Sequence, residues 1–435
     1  MASRFAAGRQ RDHLAMPDDE FDRRLGAIET AFGADWLATS DTSLGKLWRR
    51  KDAAAVNQLC LLGDAIAGLE GIDPNWVADH VKKIKSTDAN SRRGSLFELM
   101  GVSLFHRPPQ TVRPTTRNHP GYDAVVTTAD GATADISLKS YGASAHEQEF
   151  TKQAKSIEEA ILRAFKERGQ GGVLFAIANA YPSTADWNQL RDALPTLTSG
   201  QSTSVGVWAV KLDNTLPQQF GPYSKQQISY QLFFGAPFHQ NESKNLSDKF
   251  DGAFANATKH AKTSPNGVRV VLMRVPETMS LPACDGWAKD YLKSNPTSPI
   301  DAIFLYQLAV VDQPNGSSVM GHSLMVSDTP RFAAWRSAVT PPRGLVMNLA
   351  VGTGIAPSRV LITNGPTNAV YQYGYHYQRG EFFTAYPHDL SRPTNVALRN
   401  LASGIFQHAV IIYPDGTEQP LGGHFPPSKH ITLFE

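Results

Sequence analysis

Asp135, Ser137 and Lys139 occupy every second position of the run TADISLKS at 133–140, so they project from one face of an expected β-strand. Ile136 and Leu138 project from the other face. Asp123 opens the preceding β-branched run, 124–128, and Asp130-Gly131 is the turn signal that folds the two runs into an antiparallel hairpin. Upstream, Leu96, Leu99, Met100 and Leu104 recur at the three- and four-residue steps of a helix, and Glu98 interrupts that apolar neighbourhood. Three carboxylates and an ammonium gathered in one place suit hydrolysis of a phosphodiester. Carboxylate oxygens hold Mg²⁺, a hard cation that keeps several of its waters. The metal lowers the pKa of a bound water and offsets transition-state charge. A lysine beside it orients or deprotonates the attacking water, or stabilises the charge that develops. Each residue also has an ordinary structural role. Glu98 would be a solvated helix residue, Asp123 turn chemistry after Pro120-Gly121, and Lys139 an edge lysine with a snorkelling stem.

In this order of helix acid, strand-initial Asp with Pro120 three residues before it, and strand lysine, residues 91 to 180 resemble the core of the PD-(D/E)xK nuclease superfamily. The resemblance implies an α/β, restriction-endonuclease-like mixed sheet. It makes Glu98, Asp123 and Lys139 catalytic, with Asp135 and Ser137 of the same strand face counted in the catalytic set, and Glu98 and Asp123 holding metal. The acid of the acid-x-Lys pattern falls at position 137, where this chain has Ser137. Asp135, one same-face step upstream, is then the expected substitute ligand, and the metal set becomes Asp123, Asp135 and Glu98. The activity so implied is Mg²⁺-dependent (or Mn²⁺-dependent) endonucleolytic cleavage of DNA, duplex rather than single-stranded. The setting is restriction or phage defence, and a homodimer or a partner protein is compatible with it. Two other readings stay open. A nuclease-fold protein that lost cleavage, with Ser137 as the trace, would serve as a nucleic-acid-binding or assembly module. An α/β protein outside the nucleases would share the pattern by accident.

The elements around this stretch must position it. Between Val81 and His119 stand eight basic residues, Lys82, Lys83, Lys85, Arg92, Arg93, Arg107, Arg113 and Arg117, against two acids, Asp88 and Glu98. A charge run is usually a solvated face, but this one flanks the expected centre. Lys82, Lys83, Lys85, Arg92, Arg93, Arg113 and Arg117 are therefore the candidate phosphate contacts, which position a duplex without reading its sequence. After Lys139, a helical stripe of Phe150, Ala154, Ile157, Ala160, Ile161 and Phe165 ends at Gly171-Gly172. Val173 to Asn179 then reads as the fourth strand of the nuclease core. His146, Glu147 and Glu149, at the start of that helix, are reserve candidates for a ligand or a base.

The rest of the chain bounds the problem. With 435 residues it should form two or three units, and a 41% apolar, 19% charged composition describes an ordinary globular protein. The boundaries expected are a helical region at 1–90, an α/β core with extension at 91–335, and a β-rich region at 336–435. A formal charge of +2 means that any nucleic-acid surface must be a local patch. Cys60 and Cys284 stand far apart in no metal spacing, which fits a reducing, cytoplasmic setting. No apolar run reaches the ~18 residues of a membrane span, so no membrane partner is expected. Asp73-Pro74 reads as an N-cap followed by proline at the first helical position. Trp36, Trp48 and Trp76 read as packing anchors between helices. Val205 to Leu212, Ile228 to Phe234, Val268 to Val275 and Ala302 to Val311 read as strands, with helices near 246–261 and 284–292. Tyr371, Tyr373, Tyr375 and Tyr377 alternate on one strand face, most simply as a packed aromatic ladder. Gly352-Thr353-Gly354 lacks the context of a dinucleotide loop, and no zinc spacing, Walker A lysine or nucleophile elbow is present.

Overall fold

The computed structural model describes residues 3–9, 14, 16–115, 122–168, 172–213, 230–254, 267–276, 279–312, 318–340, 342, 343, 345, 360–361, 374–379, 384–385, 395–400, 407–412, 418–423 and 433–434. Six helices come first: α1 (Asp18–Phe32), α2 (Ala34–Thr39), α3 (Ser43–Arg49), α4 (Ala53–Glu70), α5 (Pro74–Ile84) and α6 (Ala89–Leu104). Their starts are written locally. Asp52, Asp73 and Asp88 each accept backbone N–H bonds at the head of α4, α5 and α6, and Pro74 takes the first turn of α5 as expected.

The chain then forms β1 (Thr111–Pro114), β2 (Ala124–Thr127), β3 (Thr133–Ser140), α7 (Ala145–Arg168), β4 (Gly172–Ala178), α8 (Thr184–Ala193), β5 (Ser202–Val205), β6 (Trp208–Asp213) and β7 (Tyr230–Pro237). After these come α9 (Glu242–Asp251), β8 (Gly267–Val275), α10 (Leu281–Ser294), β9 (Ala302–Asp312), β10 (Ser318–Asp328) and α11 (Pro330–Ser337). Six more strands end the order: β11 (Val360–Leu361), β12 (Gly374–Arg379), β13 (Thr384–Ala385), β14 (Asn395–Asn400), β15 (Gln407–Ile412) and β16 (Glu418–Gly423).

The protein is mixed α/β. A six-stranded sheet runs β1-β2-β3-β8-β9-β10, antiparallel through the β1–β3 hairpins and parallel from β3 to β8 to β9. Even-numbered β3 residues Ala134, Ile136 and Leu138 face one core with α1, α4, α5 and α6. The opposite face of β8 and β9 meets α9 and α10 in a second core with Tyr141. A five-stranded sheet, β12-β7-β4-β6-β5, carries α7 and α8 on a third core. The helices expected as a separate region at 1–90 thus share one core with the first sheet. Strand β12, from the C-terminal stretch, pairs with β7, and Leu433 and Phe434 are buried in the first core. Among the described residues no helix is long and apolar enough to cross a membrane.

Two strand assignments read from the sequence change. Val173 to Asn179 was the expected fourth strand of the core, yet β4 lies in the second sheet and the parallel neighbour of β3 is β8. Burial explains the difference. The nine residues of β8, GVRVVLMRV, are all buried, as a strand covered on both faces requires. Burial in β4 alternates, so it suits a sheet with one face packed. The run expected as one strand, Val205 to Leu212, is instead the end of β5 and most of β6, a hairpin turned at Gly206 with φ of 56°.

Candidate active site

Asp123 stands where β2 begins. Its N–H donates to the Ile136 carbonyl at 2.8 Å, and its Oδ2 accepts the Leu138 N–H at 2.5 Å. Backbone N–H groups lie in the plane of a sheet, so the carboxylate lies in that plane at the start of β2 rather than on either face. From there it is exposed to charges on both sides. Burial pushes the Asp123 carboxyl up to about 6, and the negative charge of Glu98 pushes the same way. The Leu138 N–H, the Lys139 ammonium and His80 oppose the rise.

Glu98 comes from α6, which lies against β3 because Gly101 has no side chain. A Cβ there would stand 3.0 Å from Leu138 Cδ2. Oε2 of Glu98 bonds His80 Nε2 at 2.8 Å, and His80 Nδ1 bonds the Trp76 carbonyl at 2.9 Å. The Trp76 ring lies over the imidazole with centroids 3.8 Å apart. His80 is buried, whereas Glu98 is partly open. Lys139 is half-buried, and among the described residues its ammonium has no hydrogen-bond or ion-pair partner. The charges of Glu98, Lys139 and His80 all act on the Asp123 carboxyl, and His80 holds Glu98 directly.

The other two candidates on β3 are not. Asp135 is buried 4.0 Å from Arg269 Nε, whose guanidinium lies over the Phe254 ring. Burial raises its pKa and Arg269 opposes the rise. Ser137 is buried, with its hydroxyl donating to the Ala253 carbonyl at 2.9 Å. Strand parity does place Asp135, Ser137 and Lys139 on one face. That face, however, is covered by the segment after α9 at 135 and 137 and opens only near 139. Of the three expected carboxylates, only Asp123 and Glu98 influence each other, and Asp135 answers to Arg269 instead. Among the described residues no group of three or more His, Cys, Asp or Glu side chains is placed to hold a metal ion. Two carboxylates still fit Mg²⁺, which is commonly held by one or two of them together with waters and substrate phosphates.

The basic band is divided. At ~100° per residue, Lys82 and Lys85 fall on the side of α5 away from His80. They line a groove with Ala31, Glu70 and Val77, and Lys85 Nζ donates to the Phe32 carbonyl at 3.0 Å. Arg92 donates to the Ser86 carbonyl at 2.9 Å, closing the connection between α5 and α6. Arg93 and Arg113 are exposed and Lys83 is half-exposed on the His80 side. Arg117 and Pro120 lie outside the described residues.

Of the reserve candidates, His146 stacks on His239 with centroids 3.6 Å apart, and Glu149 is an exposed partner of Lys152. The expected aromatic ladder is packed at the two positions described. Tyr375 and Tyr377 are buried, their hydroxyls donating to Glu242 and Glu158; Tyr371 and Tyr373 lie outside the described residues, as does Gly352-Thr353-Gly354. His80 escaped the sequence reading. The available signal was its position in the stripe Val77, His80, Val81, Ile84, where a polar ring interrupts the buried face of α5. Comparison with protein-family models, with curated proteins and with solved structures finds no match.

Proposed function

We propose that this chain is a Mg²⁺-dependent endonuclease that hydrolyses phosphodiester bonds in DNA, built on a restriction-endonuclease-like core of α6, β1, β2, β3 and β8. The observation that carries the reading is the Asp123 carboxylate at the start of β2, on which the charges of Glu98 from the helix and Lys139 from the next strand both act. These are the three positions that the sequence resemblance marks. The strand order supports it: an antiparallel β2–β3 hairpin followed by a parallel crossover neighbour.

Asp123 and Glu98 would hold the metal, which supplies a water of lowered pKa and offsets charge on the phosphate. Lys139, with no competing partner, donates to the phosphate oxygen on which charge develops. The Leu138 N–H and the Glu98–His80 bond hold the two carboxylates in place before substrate arrives. Arg93, Arg113 and Lys83 are the cations available for backbone phosphates, and restriction or phage defence is the setting that the resemblance suggests.

A second reading has its own observation. Position 137, where the resemblance expects an acid, holds a serine whose hydroxyl is used inside the fold. A chain that keeps the fold and binds nucleic acid without cutting it would look the same there. Supercoiled plasmid with Mg²⁺, with and without EDTA, separates the two. Nicking that needs metal and disappears in Lys139→Ala and Asp123→Ala, with DNA binding kept, supports the nuclease. Retained binding without nicking supports the second reading. Undiminished nicking by both variants places the active centre elsewhere.

A further inference from the structure

We propose that His80 is a positioning residue for Glu98, holding one carboxylate oxygen so that the other faces the Asp123–Lys139 opening; this rests on the metal-site reading above. The Trp76 carbonyl can only accept, so Nδ1 of His80 donates to it. Nε2 is then left facing Glu98 Oε2 at 2.8 Å. That separation is hydrogen-bond distance, so the contact fixes the direction in which Oε2 points.

The ring has little freedom to turn. It is buried on α5, bonded at both nitrogens and covered by the Trp76 ring. Glu98, a longer and partly open side chain, would otherwise sample several rotamers at a cost in entropy each time it engaged a cation. Among the described residues Oε1 of Glu98 makes no hydrogen bond, and the charge of Glu98 reaches Asp123. His80 thus does for Glu98 what the Leu138 N–H does for Asp123.

The test is Mn²⁺ binding to the full chain, read as free Mn²⁺ by electron paramagnetic resonance, for wild type, H80L, H80Q, E98Q, D123N and the H80L/E98Q pair. Glutamine places an amide N–H where Nε2 stands, so it keeps the donor without the ring. The expected result is a Kd raised by about 10- to 100-fold in H80L at unchanged stoichiometry. H80Q should restore it, and H80L should add nothing in the E98Q background. A wild-type Kd in H80L with E98Q and D123N weakened, or fewer sites of unchanged Kd, reduces His80 to packing and overturns the proposal. H80Q as weak as H80L overturns it too. If D123N leaves Mn²⁺ binding untouched, the metal site itself is wrong and the role of His80 goes with it. Should H80L not fold, H80Q against E98Q decides, since only a positioning donor makes H80Q resemble wild type.

Discussion

Replacing Asp123 by asparagine should make the metal-free protein more stable, and only above about pH 5. The Asp123 carboxyl lies at about 6 against an ordinary 3.8, raised by burial and by Glu98. Between these two values the folded chain holds a proton that the unfolded chain has released. Stability therefore falls as pH rises through that window, and the full loss persists above it. At ~1.4 kcal/mol per pH unit the loss comes to about 3 kcal/mol. Asparagine carries no charge, and its Oδ1 can still accept the Leu138 N–H. Its amide N–H₂ has no partner assigned, which costs about 1–2 kcal/mol at any pH. The net expectation is a gain of about 1–2 kcal/mol near pH 8, turning into a small loss near pH 4. Urea denaturation in EDTA at the two pH values measures it. A second arm adds Mn²⁺ to both proteins. At a hundredfold excess over Kd, binding should stabilise wild type by about 2.7 kcal/mol and leave D123N unmoved. A D123N protein less stable than wild type near pH 8, or a difference that does not change with pH, would refute the crowded carboxylate and with it the geometry of the site.

Ser137→Glu puts a carboxylate against the Ala253 carbonyl in a buried position; a loss of about 3–5 kcal/mol in urea denaturation and no gain of nicking are expected. Wild-type stability with new metal-dependent cleavage would instead show that position 137 reaches the site. Glu242 is fully buried and accepts from the hydroxyls of Tyr141, Ser144 and Tyr375, so it ties β3 to the second sheet. Glu242→Gln turns one acceptor into a donor facing donors and should cost about 2–3 kcal/mol by the same measurement; an unchanged midpoint would mean that the hydroxyls have other partners. Arg93→Glu should weaken binding to all DNA sequences alike and flatten the salt dependence, whereas Lys82→Glu, on the far side of α5, should do neither. Equal losses in the two variants, read by fluorescence anisotropy at several salt concentrations, would show that the band acts as one field.

What was legible in the sequence was local. Asp73-Pro74 states where α5 begins, because the cap bond spans three residues and needs nothing beyond them. Asp130-Gly131 and the alternation of 133–140 state a hairpin and its register, because turn chemistry and a period of two act between near neighbours. It was the resemblance to a nuclease core, resting on those two facts and the helical spacing around Glu98, that brought Glu98, Asp123 and Lys139 into one reading. Tertiary structure decided the remainder. Alternation says that Asp135, Ser137 and Lys139 share a face, but only the segment after α9, more than a hundred residues later, decides that 135 and 137 are covered and 139 is not. The sequence reading gave β4 to this core, yet β3 pairs with β8, because parallel pairing is made by crossover connections whose length the strand itself does not specify. His80 reads as one more position in a buried stripe until α6 folds back and sets Glu98 against it. Contacts of that kind are chosen by packing between distant segments, and no local pattern carries them.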